Sequence, residues 1–164
     1  MTVHFPLVPG IEQARQQSKK GPPLPPGRCL GTVAQFLLGH PSGQDTASIA
    51  WHNSKHRHKY DPTGSLDDFL RGVPRGFPLW FIGGSPTENH PEGDGHVVIT
   101  AVPFLCWSED RKRSGFYDRV TIKSILTWNR THPLRLVGWS EDIAGFMVPY
   151  KPHSKDPYRV KSKG

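Results

Sequence analysis

The chain predicts an α+β fold in which N-terminal helices pack on an antiparallel sheet, and three observations predict it. Apolar residues recur at helical spacing in the first half, short β-branched and aromatic runs dominate from residue 78 onward, and the helices come before the strands rather than alternating with them. The 164 residues include 17 Gly and 17 Pro, which excludes a long uninterrupted helix or a coiled coil. Leu, Ile, Val and Phe number 38, enough for the core of one modest domain.

Residues 10–20 carry helix-compatible side chains, and residues 21–27, rich in Pro, must be extended because each Pro removes a donor and biases its predecessor away from helix. From Arg28 the apolar residues Leu30, Val33, Ala34, Leu37 and Leu38 return at helical spacing and stop at Gly39, a C-cap. Cys29 therefore falls in the first turn. A third helix covers residues 46–53, and residues 65–70 form one or two turns capped by Ser65 with Asp68 three residues on. Strands follow at residues 78–82, 96–102, 104–108 and 134–139, each bounded by Gly, Pro or charge. A helix over residues 122–129 interrupts them, with Ile122, Ile125, Leu126 and Trp128 apolar, and a last strand is expected within residues 143–148. Residues 1–9 read as an extension, 10–150 as the domain, and 151–164, with five Lys or Arg, as a mobile basic tail. Trp107-Ser-Glu-Asp110 recurs as Trp139-Ser-Glu-Asp142; two copies do not make a solenoid, so the echo reads as two strand ends that finish alike.

Lys and Arg outnumber Asp and Glu by 21 to 14, so the natural partner is a polyanion: nucleic acid, acidic lipid or an anionic cell-wall polymer. No apolar run reaches the ~18 residues of a membrane span. The N-terminal residues lack the basic, apolar and small-residue regions of a secretory signal, so a protein working beyond a membrane is expected to leave by another route. Cys29 and Cys106 are the two cysteines, too few for a disulfide framework, and reduced thiols are the simpler reading.

Cys29, at a helix N-terminus beside Arg28, stands where unsatisfied N–H groups and the macrodipole favour a thiolate nucleophile. The alternative is a small buried hydrophobe, which is also the reading for Cys106 between Leu105 and Trp107. A cysteine nucleophile needs a histidine, and His96 stands best, at the mouth of a strand after Gly93 and Gly95. If the hairpin turns around Pro103, residues whose numbers add to 206 face each other. Asp110 then opposes His96, with Ser108 diagonal to it. A one-residue slip would bring Glu109 or Arg111 there instead. His52, His56 and His58 have partial metal-ligand spacing but sit in a cationic stretch that reads as a basic surface loop, so no metal site is expected. P-loop, dinucleotide, HExxH and GxSxG motifs are missing from the sequence.

Gly27-Arg-Cys-Leu30 opening a helix, Gly72-Val-Pro followed by Pro78-Leu-Trp-Phe81, Gly95-His-Val-Val-Ile99, Trp107-Ser-Glu-Asp110 and Gly138-Trp-Ser-Glu-Asp-Ile-Ala-Gly145 occur in one order. In that order the chain resembles CHAP and NlpC/P60-like cysteine peptidase or amidase domains, most closely the endolysin (lysin A) domains of bacteriophages of actinobacteria. The resemblance runs over residues 10–150. It implies a papain-like fold and hydrolysis of an amide bond in bacterial peptidoglycan, either within the peptide stem or as an N-acetylmuramoyl-L-alanine amidase. It further implies Cys29 as nucleophile, His96 as general base, Asp110 as third polar residue with Ser108 competing, and the Cys29 N–H in an oxyanion hole. No cofactor is implied. Such a protein is expected to be a monomer that waits in the host cytoplasm until the membrane is permeabilised, or travels in the virion, then acts on peptidoglycan and its anionic polymers rather than on nucleic acid. The rival readings are a non-catalytic wall-binding or virion structural protein that keeps the fold, and a cysteine peptidase or transferase acting on protein.

Overall fold

The first helices form where the apolar spacing places them. In a computed structural model, which describes residues 9–20 and 28–149, α1 spans Pro9–Lys20, α2 Cys29–Leu38 and α3 Ala47–Asn53. Helix α2 ends at Gly39, whose left-handed φ of 79° lets its N–H bond the Gln35 carbonyl, a conformation that costs glycine little. Thr46 caps α3 through its hydroxyl on the Ile49 N–H. After β1 (Arg57–Lys59), helix α4 (Leu66–Arg71) begins with the expected Ser65 side chain accepting from the Asp68 N–H.

The strands β2 (Pro78–Gly83), β3 (His96–Thr100), β4 (Leu105–Glu109), β5 (Tyr117–Thr121) and β6 (Leu134–Ser140) join β1 in one sheet ordered β1-β6-β2-β3-β4-β5. Every neighbouring pair is antiparallel. Strands β2 to β5 form a meander, and β6 then crosses back to lie between β1 and β2. Helix α1 packs on β5, α2 on β3 and α3 on β2, and both faces of the central strands are covered: Phe77, Leu79, Trp80, Val97 and Ile99 are fully buried, as is Val33 of α2. Burial of one such large side chain is worth roughly 1.5–3 kcal/mol. The mixed helix and antiparallel sheet agree with the expected α+β class.

Two expectations need adjustment, and two strands join the sheet unannounced by the sequence. The last helix, α5, covers only Ile122–Leu126, because Thr127 closes it with its N–H on the Lys123 and Ile125 carbonyls. The stretch expected as one strand is instead a hairpin of β7 (Asp142–Ile143) and β8 (Phe146–Met147), turned by Ala144 and Gly145 at φ 52° and 96°. Strands β1 and β5 lack apolar runs and escape periodicity: β1 is held by pairing with β6, and β5 by pairing with β4. The Pro-rich approach to Cys29 and the basic tail lie outside the described residues.

Candidate active site

Helix α2 has no local N-cap; Arg28 occupies that position without a side-chain capping bond. The cap comes from across the fold. Glu109, sealed at the end of β4, accepts from the Arg28 N–H at 3.0 Å with one carboxylate oxygen and from the Thr32 hydroxyl at 3.0 Å with the other. A carboxylate at a helix N-terminus satisfies donors that have no intrahelical partner. Burial dominates nonetheless and, with the charge of Asp110, pushes the Glu109 carboxyl up to about 7. Cys29 is thus the first residue of a helix whose start is set by Glu109.

His96 is the first residue of β3. Gly95 before it has φ 73° and so close an approach to Phe81 that a Cβ would lie 2.7 Å from the Phe81 carbonyl oxygen, so only glycine fits that turn into the strand. Cys29, His96 and Asp110 border one cleft of about 740 Å³. The far wall is the segment of residues 41–47 that leads into α3, and Trp128 closes one side.

The hairpin arithmetic holds: Ile99 pairs with Trp107 and Thr100 with Cys106, each pair adding to 206. The imidazole, however, takes the diagonal partner. His96 Nε2 lies 2.8 Å from Ser108 Oγ, and both residues are buried. The Ser108 hydroxyl donates to the Glu109 carbonyl oxygen at 3.2 Å, so its oxygen accepts from His96. From that order we assign the imidazole proton to Nε2, which makes Nδ1 the unprotonated nitrogen, the tautomer a general base requires. Asp110, expected as the first choice of partner, leaves β4 at φ 68° and accepts from the Gly115 N–H at 2.6 Å. The left-handed turn carries its carboxylate into the hairpin end, from where it acts on His96 by charge.

Burial holds His96 down at about 4, partly opposed by the negative charge of Asp110. Burial likewise pushes the Cys29 thiol up to about 12, assisted by Glu109 and Asp110 and opposed by the Val97 and Leu30 N–H groups. At neutral pH the two face the cleft as thiol and neutral imidazole. Cys106 is fully buried with its thiol pushed further up, and both cysteines are free.

Four residues around the site take roles that the sequence reading does not assign them. Trp128 stands edge-on to His96, with ring centroids 5.2 Å apart at 87°, and Arg111 lies 5.6 Å over the same indole while bonding the Ser124 carbonyl. Trp128 was expected on an apolar helix face; the early end of α5 frees it for this wall. Glu109 is buried as the cap of α2, and Tyr117, fully buried beside it in the pairing of β4 with β5, has a hydroxyl without a hydrogen-bond partner among the described residues. Among His52, His56 and His58, the last is engaged elsewhere. His58 stacks on Trp139 at 4.0 Å and bonds Glu141, and among the described residues no group of three His, Cys, Asp or Glu could hold a metal.

The two Trp-Ser-Glu-Asp copies end β4 and β6 with different duties. Ser140 accepts from the Trp80 indole N–H at 2.7 Å, and buried Asp142 accepts from the N–H groups of Lys55, His56 and Gly145. In a comparison with known proteins, the chain matches no family model, no curated protein and no solved structure.

Proposed function

We propose that the protein is a cysteine hydrolase of amide bonds in bacterial peptidoglycan, with the papain-like arrangement of a helix-borne cysteine opposite a strand-borne histidine. The observation that carries this reading is the buried bond of Ser108 to Nε2 of His96 beside a cleft that Cys29 and His96 both border, which supports Nδ1 as the base. His96 Nδ1 takes the Cys29 proton as Sγ forms a bond to the amide carbonyl carbon. The tetrahedral intermediate expels the amine, which leaves with that proton, and a thioester remains. Water, deprotonated by the same nitrogen, then attacks the thioester and releases the acid and the Cys29 thiol. The Cys29 N–H, at the start of α2, serves as a donor to the developing oxyanion.

One observation favours a second reading, a non-catalytic wall-binding or virion protein: burial keeps Cys29 a thiol, and a thiol is the weaker nucleophile. A single experiment separates the two. Mass analysis of peptidoglycan sacculi after digestion is expected to show one class of cleaved amide, and Cys29→Ala to lower its release by at least roughly 10³-fold while the fold, read by circular dichroism, is retained. Sacculi bound but uncut by the parent protein would establish the second reading instead.

A further inference from the structure

Of the net charge of +7, the five Lys or Arg and single Asp of residues 151–164 supply +4. The rim of the cleft carries Asp45, Asp94 and Asp110 against Arg28, and basic residues of the fold gather elsewhere. A groove of about 520 Å³ at the β1 and β6 edge of the sheet is lined by Arg57, Lys59, Arg135 and His52 over a floor that includes Trp51 and Tyr60. No acidic residue among the described ones lines it. Its nearest carboxylate in sequence, Asp61, is exposed and accepts from the N–H and hydroxyl of Thr63 at 2.9 and 2.7 Å. Lys59 and Arg135 are exposed, and neither makes an ion pair with a described residue.

We infer that this groove binds an anionic phosphodiester polymer of the cell wall, an inference that rests on the peptidoglycan reading for the polymer's source and on the groove for its chemistry. Arg57 and Lys59 are two residues apart on one strand, so their side chains project from the same face about 7 Å apart, a row that suits a linear polymer with a regularly repeated charge. Guanidinium groups at Arg57 and Arg135 match phosphate oxygens by their forked geometry. Single-stranded nucleic acid fits less well, because it gains affinity by stacking bases on open aromatic faces. Trp51 is 4% exposed with Arg57 over its ring at 5.4 Å, and the Tyr60 ring packs on Phe69 at 5.1 Å. Helix α3 joins the two sites: Thr46 and Ala47 border the cleft, and Trp51 and His52 the groove. A polymer held there would keep the cleft against the wall.

Calorimetric titration of the full chain with long-chain inorganic polyphosphate tests the groove. Lys59→Gln with Arg135→Gln is expected to weaken binding about tenfold at low salt. Arg119→Gln with Lys123→Gln, which removes the same charge from exposed sites on β5 and α5, is expected to weaken it less than about twofold. Equal losses from the two pairs, or no loss from the groove pair, overturns the proposal; so does an oligonucleotide of equal charge that binds at least as tightly as polyphosphate. Unchanged melting temperatures confirm that the exposed substitutions leave the fold alone. The source is tested with the Cys29→Ala protein on sacculi before and after acid extraction of their phosphate polymers: retention should fall on extraction, and unchanged retention overturns the wall polymer as ligand. Polyphosphate contains no amide, so failure here leaves the hydrolase reading standing, and failure of the digestion leaves the groove standing.

Discussion

Cys29 and His96 meet the cleft uncharged, and that sets what their chemistry can look like. A base held near 4 by burial is unprotonated over the whole neutral range, so it is always ready to accept a proton but accepts it weakly. The acid limb of kcat/KM for amide hydrolysis should accordingly fall at about pH 4 rather than near the ordinary imidazole value of about 6.5, measured as initial rates across pH 3–8. In the proposed hydrolase, Ser108 acts through His96 as a positioning residue. Ser108→Ala should lower kcat about tenfold with KM unchanged, and Ser108→Thr, which keeps the hydroxyl, should restore most of it; equal loss from both variants would mean packing rather than the hydroxyl matters. A serine was legible at that position as the diagonal neighbour of His96, whereas the choice between Ser108 and Asp110 was not. The pairing register brings both to the hairpin end, and the left-handed backbone at Asp110 turns its carboxylate toward Gly115.

Among the elements, those whose signals are local emerge where the sequence places them. The Ser65 and Thr46 caps and the Gly39 terminus each act within four residues, so neighbouring side chains suffice to specify them. Helix α2 is different, because its cap is Glu109, 81 residues away, and nothing near Arg28 announces it. Strand β1, Arg-His-Lys, has no apolar residue to mark it as a strand, and it exists because β6 offers an unpaired edge. Glu109 also carries a consequence for stability. Its carboxyl is raised from 4.5 to about 7, so the folded chain holds more protons than the unfolded one between those values and loses stability as pH rises through them. Glu109→Gln keeps an acceptor for the Arg28 N–H and removes that titration.

For the whole molecule the two buried groups oppose each other. His96 is lowered from 6.5 to about 4, so the folded chain binds fewer protons there and loses stability as pH falls through that window. Between about 4.5 and 6.5 the contributions of Glu109 and His96 have opposite signs and similar size, and the parent protein should show nearly level stability. Denaturant unfolding of Glu109→Gln should instead reveal a steady loss on acidification from pH 6.5 to 4, the slope of His96 alone; a level profile in the variant would show that His96 does not titrate in that range. Charge is divided at the same scale: acidic residues rim the cleft at the ends of β2, β3 and β4, and basic ones line the groove at the β1 and β6 edge of the sheet, a partition that the net charge by itself conceals.

The sequence by itself determined the α+β class, most of the helices and strands, the cysteine at a helix start and the register that brings His96 toward residues 108–110. These follow from period, caps and turn chemistry, which act between neighbours along the chain. Only the tertiary structure decided that β6 inserts between β1 and β2, that Glu109 caps the helix of Cys29, that Ser108 holds the imidazole, and that Trp128 walls the cleft. Each of those depends on groups brought together across the fold, where burial, strand geometry and a turn of left-handed backbone choose among partners that the sequence leaves equal.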